Sequence, residues 1–336
     1  MNLAFFFVLA GAVCAVASPT AMFSQEASDK AIPAEFELFS QYAQATYCAA
    51  LFDTTANTAV CSVDKSPVCT NFEGTATVKE FVNAQFGTIA GYVATSPSKK
   101  HIVIAFKGTD PLSLVDVQTN LAKNLASAQD LFPGQLCVGC YLHNGFKTAF
   151  TSLRADLEQI LKTELSKAGQ DSYRIVVTGH SLGGAVATIA AAYCELVESR
   201  ATFTPRITNG NDFVPVVPYG SLLPLGFYAH TYPEYWYNDG LLGAPKSYET
   251  TVTKCNSRAE CAGPTCGKAQ RLFDFLLAKF TCSVSDHSTY IDPAVLPCKD
   301  VHKPKGNDPK DAPITDEEFR NFLGEQEKKE ERKRQQ

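Results

Sequence analysis

The hexapeptide Gly179-His180-Ser181-Leu182-Gly183-Gly184 constrains this chain more than any other stretch. Ahead of it runs the β-branched segment Arg174-Ile175-Val176-Val177-Thr178, and behind it Ala185-Val186-Ala187-Thr188-Ile189-Ala190-Ala191-Ala192 continues as a helical run of small residues. A buried strand, a glycine-bounded tight turn and a helix in immediate succession force the central serine into a strained conformation. Its hydroxyl then stands at the top of a sheet. The flanking glycines leave room for strand and helix to pack closely, and the helix N-terminus behind them favours negative charge.

The rest of the chain supplies a sheet for that turn. Strand patterns fall at residues 76–82 and 88–94, and a Ser96-Pro97-Ser98 turn separates the second from the near-continuous apolar run 101–106, which reads as a strand buried on both faces. Further strands are expected at 204–208 and 227–232. Helical spacing marks residues 31–51, with Phe36, Phe39, Tyr42, Ala43 and Tyr47 on one face, and residues 146–167, ended by Gly169. Between Thr109 and the second of these, the stretch 111–128 suits a short amphipathic helix with a loop on either side. Strands alternating with helices predict one α/β domain, a mostly parallel sheet with helices on both faces.

Composition sets the compartment. The first residues, 3–17, are almost wholly apolar and end in Ala15-Val16-Ala17, a small-x-small site before Ser18. This run is short for a membrane span and reads as a cleaved secretory leader, with an uncleaved anchor as the alternative. Residues 18–300 then form the folded domain, and residues 301–336, rich in Lys, Glu, Arg, Asp and Gln, form a disordered tail. Of the twelve cysteines, eleven remain once Cys14 leaves with the leader, an odd number that requires one unpaired thiol. Cys194, on the helix after the serine, suits that role as a small buried hydrophobe. Zinc is the rival explanation for Cys137-x-x-Cys140 and for Cys261 with Cys266, but no second CxxC or spaced His pair accompanies them, so no metal is expected. A net charge of −5 without a basic stripe in the folded body gives no reason to expect nucleic-acid binding.

A serine hydroxyl needs a base within hydrogen-bond reach and a third group to orient that base. In the α/β-hydrolase arrangement these follow in the chain order serine, carboxylate, histidine. After Ser181 come His230, His287 and His302. His302 opens the charged tail and His230 lies in an expected strand, so His287, in a loop late in the domain, is the preferred base and His230 the alternative. Asp212, at a strand end, is the preferred carboxylate. Asp286 is its rival, but adjacent side chains diverge, which leaves it suited to a loop hydrogen bond. Oxyanion donors are expected from the backbone of Leu182 and from Thr109, in the loop after the strand at 101–106.

The segments Val103-Ile104-Ala105-Phe106-Lys107-Gly108-Thr109, His143-Asn144-Gly145-Phe146, Val177 to Ala185, Asn211-Asp212-Phe213-Val214-Pro215 and Asp286-His287-Ser288-Thr289-Tyr290 together resemble the class 3, fungal-lipase-like family of the α/β-hydrolases. The resemblance implies Ser181, Asp212 and His287 as a triad and Thr109 and Leu182 as the oxyanion hole. It implies an interfacial lid after Thr109, carrying Leu112, Leu114, Val115, Val117 and Leu121. It also implies bridges joining Cys48 to Cys298, Cys61 to Cys69 and Cys137 to Cys140; residues 243–280 depart from the family pattern. The expected activity is that of a secreted triacylglycerol lipase that needs no cofactor and touches lipid transiently at a lipid–water interface. A feruloyl or short-chain carboxylesterase is the alternative on the same triad, and an inactive lipid-binding protein the alternative of another class.

Overall fold

The computed structural model describes residues 12–16, 34–47, 76–83, 89–108, 125–132, 140–167, 169–198, 202–203, 205–212, 214–216, 230–231, 233–237, 252–256 and 286–288. In chain order the strands and helices are β1 (Ala12–Val16), α1 (Ala34–Ala45), β2 (Ala76–Asn83), β3 (Ile89–Ser96), β4 (His101–Phe106), β5 (Leu125–Ser127), β6 (Tyr141–His143), α2 (Asn144–Leu165), β7 (Arg174–Gly179), α3 (Leu182–Glu198), β8 (Thr202–Phe203), β9 (Arg206–Asn209), β10 (Glu234–Tyr237) and β11 (Val252–Cys255).

The main sheet runs β11-β10-β9-β1-β7-β4-β3-β2, with β8 beside β1. Strands β4 and β7 pair in parallel, as do β9 and β10, and β1 lies antiparallel between β7 and β9. Consequently β4, β7, β9 and β10 all run one way, and the loops that leave their carboxyl ends gather at one edge of the sheet. The fold is that of the α/β-hydrolases. Strand β1 comes from the apolar run read as a secretory leader. A mature chain cut after Ala17 would lack it.

Burial on both faces explains the unbroken apolar run of β4. Ile102, Ile104 and Phe106, with Ile175 and Val177 of β7, belong to the core that α2 and α3 cover. The intervening Val103, Ala105 and Val176 are equally buried, on the face that α1 covers. On that side Thr178 Oγ1 donates to the Phe39 carbonyl at 3.0 Å and Tyr92 Oη to the Tyr42 carbonyl at 2.8 Å. The guanidinium of Arg174 meets Glu35 at 3.1 Å and lies 5.1 Å from the Phe39 ring centre, which fastens the start of α1 to the start of β7. Burial, with Arg174 and Lys99 nearby, pushes His101 down to about 4, so it faces Tyr42 as a neutral ring. Phe146, Phe150, Leu153, Leu157 and Leu161 form the inward stripe of α2. Ala187, Ala190 and Ala191 keep α3 close to the sheet, and Cys194 follows as a buried thiol outside any disulfide, as expected.

Three sequence expectations are corrected. Residues 125–127 are not the end of an amphipathic helix but β5, paired antiparallel with β6, whose strand lies well beyond any local signal. The strand expected at 227–232 does not include the described residues 230 and 231; β10 begins beyond them. Strand β10 opens on Glu234, and that charge masked its pattern. The structure buries Glu234 by placing it in register with Arg206 of β9, whose guanidinium it meets, while Thr208 Oγ1 donates to it at 2.6 Å. Helix α1 is also shorter than residues 31–51. Cys140 and Cys255 are disulfide-bonded to partners outside the described residues. Cys48, Cys61, Cys69, Cys137 and Cys298 also lie outside them, as do Leu112, Leu114, Val115, Val117, Leu121 and the tail from 301.

Candidate active site

Ser181 links the end of β7 to the start of α3 with φ of +57°, a left-handed value that a residue with a Cβ adopts only under constraint. The constraint is visible in the neighbouring glycines. A Cβ at Gly179 would collide with the backbone of Gly183, and one at Gly183 with the Phe106 carbonyl at the end of β4. The first turn of α3 is therefore wedged against two strand ends. We expect Gly183→Ala to lower stability by about 1–3 kcal/mol, the usual cost of overpacking; urea denaturation checks this, and an unchanged midpoint would contradict the wedge.

Ser181 is fully buried, and its hydroxyl finds no hydrogen-bond partner among the described residues. Leu182 opens α3, so its N–H is among the helix's first amides, which lack intrahelical acceptors. Thr109 lies outside the described residues, but the chain leading to it runs over the serine: a Cβ at Gly108 would lie 3.0 Å from Ser181 Cβ.

Asp212 follows β9 in a turn closed by its own N–H to the Asn209 carbonyl at 2.9 Å. One carboxylate oxygen accepts the Val214 N–H at 2.9 Å, and the other meets His287 Nδ1 at 2.9 Å. An ionised carboxylate only accepts, so the imidazole carries its proton on Nδ1 and its lone pair on Nε2. Both side chains are buried. His287, not His230, is the histidine that meets Asp212, and Asp286 takes the loop role expected of it, accepting the Asn211 N–H at 2.7 Å.

Sequence reasoning missed His180. Its ring lies 4.5 Å from that of His287, centre to centre, and Nε2 donates to the His287 carbonyl at 3.0 Å. The same ring's Nδ1 therefore accepts from Tyr47 Oη, 2.9 Å away. Burial, and secondarily the nearby His287 imidazole, push His180 well below the ordinary histidine range, so it serves as a neutral prop under its neighbour. No pattern in the sequence pairs Tyr47 with His180; only the docking of α1 brings them together.

A strained serine between a parallel strand and a helix, with a histidine–aspartate pair mounted at the same sheet edge, defines a protein of the α/β-hydrolase class. The family model for lipase (class 3) matches residues 103–204. The chain is 31% identical over 260 residues to secreted mono- and diacylglycerol lipase 1 of Fusarium solani, covering 69% of this chain and 72% of that one. It is 32% identical over 262 residues to secreted mono- and diacylglycerol lipase A of Penicillium cyclopium, covering 70% and 80% respectively. The crystal structure of the mono- and diacylglycerol lipase of Aspergillus oryzae superposes with a TM-score of 0.56 at 24% identity, over 76% of this chain and 95% of that one. The chain belongs to the class 3 lipase family.

Proposed function

We propose that the protein is an exported lipase that hydrolyses acylglycerol esters, triacylglycerol among them, through an acyl-enzyme on Ser181. The observation that carries this reading is the 2.9 Å bond between His287 and Asp212 at the same sheet edge as the positive-φ serine. Ser181 Oγ attacks the ester carbonyl carbon while its proton passes to His287 Nε2, and the imidazolium is stabilised by Asp212. The oxyanion is held by the N–H of Leu182 and by Thr109, each such donor supplying about 2.7–4 kcal/mol of transition-state stabilisation. As the tetrahedral adduct collapses, the glycerol oxygen takes the proton from His287 and leaves. His287 then deprotonates a water that attacks the acyl carbon, and the fatty acid departs with Ser181 restored.

The apolar run read as a leader, residues 1–17, and the relatives named as secreted support export; on that reading the first residue of the mature chain would be Ser18. Leu112, Leu114, Val115, Val117 and Leu121 are read as the apolar side of a lid that opens against lipid. A panel of esters from short to long acyl chain, with emulsified mono-, di- and triacylglycerol, tests the assignment. Specific activity should rise with chain length and at the emulsion surface. Equal rates on monomeric and emulsified substrate would remove the lid from the account, and activity restricted to short soluble esters would replace the lipase with a carboxylesterase. If an active-site serine probe leaves Ser181 unlabelled, a binding role takes the place of hydrolysis.

A further inference from the structure

His287 sits in a short 3-10 turn, Asp286–Ser288, whose side contacts reach the turn that leads into Asp212. We propose that Asp286 is the positioning residue that holds His287 in register with Asp212; the role deepens the triad reading and rests on it. Asp286 is fully buried. Its carboxylate accepts the Asn211 N–H at 2.7 Å, and its own carbonyl accepts Asn209 Nδ2 at 2.9 Å. Two bonds thus stitch the turn bearing His287 to the turn that leads into Asp212.

Gly210 is the contact point of the stitch. Its φ is +45°, and a Cβ there would lie 2.5 Å from the Asp286 carboxylate, so the position suits glycine on both grounds. The glycine is itself anchored to β10: its N–H donates to the Tyr237 carbonyl at 2.9 Å and its carbonyl accepts Trp236 Nε1 at 3.1 Å. A continuous path of hydrogen bonds therefore runs from the sheet through residues 209–211 and Asp286 to the residue that binds Asp212. His180 closes the opposite side by donating to the His287 carbonyl. With Asp286 in place, neither carboxylate nor imidazole is free to slide along its loop; without it, the side facing Asn211 loses its hold.

The test compares Asp286→Ala, Asp286→Asn and Asn209→Ala in the full chain. The readouts are kcat and KM on a chromogenic ester, thermal melting, and the downfield proton resonance of the His287 Nδ1–H. Asp286→Ala should lower kcat by roughly 10- to 100-fold, the scale set by small misplacements of reacting groups, with KM changed less than about twofold and the resonance lost. Asp286→Asn keeps an oxygen acceptor for the Asn211 N–H and should restore both kcat and resonance. Wild-type kcat and resonance in Asp286→Ala, or equal impairment in Asp286→Asn, would overturn the proposal. If Asp286→Ala fails to fold, Asn209→Ala decides: a weakened resonance with a several-fold fall in kcat supports the stitch, and no change in either refutes it. A wild-type protein without turnover, whose resonance still responds to these variants, would uphold the positioning role and defeat the hydrolase reading.

Discussion

Replacing Ser181 by alanine should lower kcat by about 10⁶-fold, the loss found when the nucleophile of a serine triad is removed, while leaving the protein as stable as before. The two readouts move apart for a structural reason. Serine and alanine both carry a Cβ, so the strain of φ +57° is unchanged by the substitution. The hydroxyl, in contrast, is buried and makes no hydrogen bond to a described residue. Deleting it therefore breaks no described contact. Steady-state kinetics and a melting curve on the same sample check both halves. A variant that loses activity together with a large drop in melting temperature would mean that Ser181 supports the elbow rather than the reaction.

Asp212→Asn should reduce kcat by about 10⁴-fold with little change in folding stability. Asparagine retains an oxygen for the Val214 N–H, which orients the side chain as the carboxylate oxygen does now. Its amide nitrogen then faces His287 Nδ1. A donor in that position makes Nδ1 the acceptor and moves the imidazole proton to Nε2, the atom that receives the proton of Ser181 in the proposed mechanism. The imidazole is thus still present but in the wrong tautomer. Comparing kcat with the Nδ1–H resonance separates this outcome from misfolding, because a folded Asp212→Asn protein that retains full activity would remove Asp212 from the orienting role.

How far the sequence could be read depended on how local each interaction is. The elbow was legible because strand, turn and helix are contiguous, and the glycines that make it possible lie within a few residues of Ser181. The alternation of β4 and β7 with their helices was legible because burial on both faces leaves uninterrupted apolar runs. Strand β10 was misplaced because its first residue is a charge that becomes buried only opposite Arg206, a partner on another strand. Strand β5 was read as helix because three exposed or half-exposed residues carry no periodicity of their own. The contact between Asp212 and His287 was anticipated from chain order, since the proposed triad imposes one. Tyr47 and His180 were not, because their contact spans 133 positions and follows only from where α1 docks.

That contact also bears on where a shortened version of this protein could begin. Tyr47 follows α1 directly, and its hydroxyl occupies the space that a side chain at Gly108 would fill, beneath the backbone of His180. Helix α1 therefore delivers a strut to the underside of the turn at Ser181 as well as covering one face of the sheet. Trimming into residues 34–47 would strip the floor from beneath the neighbour of Ser181, so an engineered start point belongs ahead of Ala34, however dispensable this helix looks in outline.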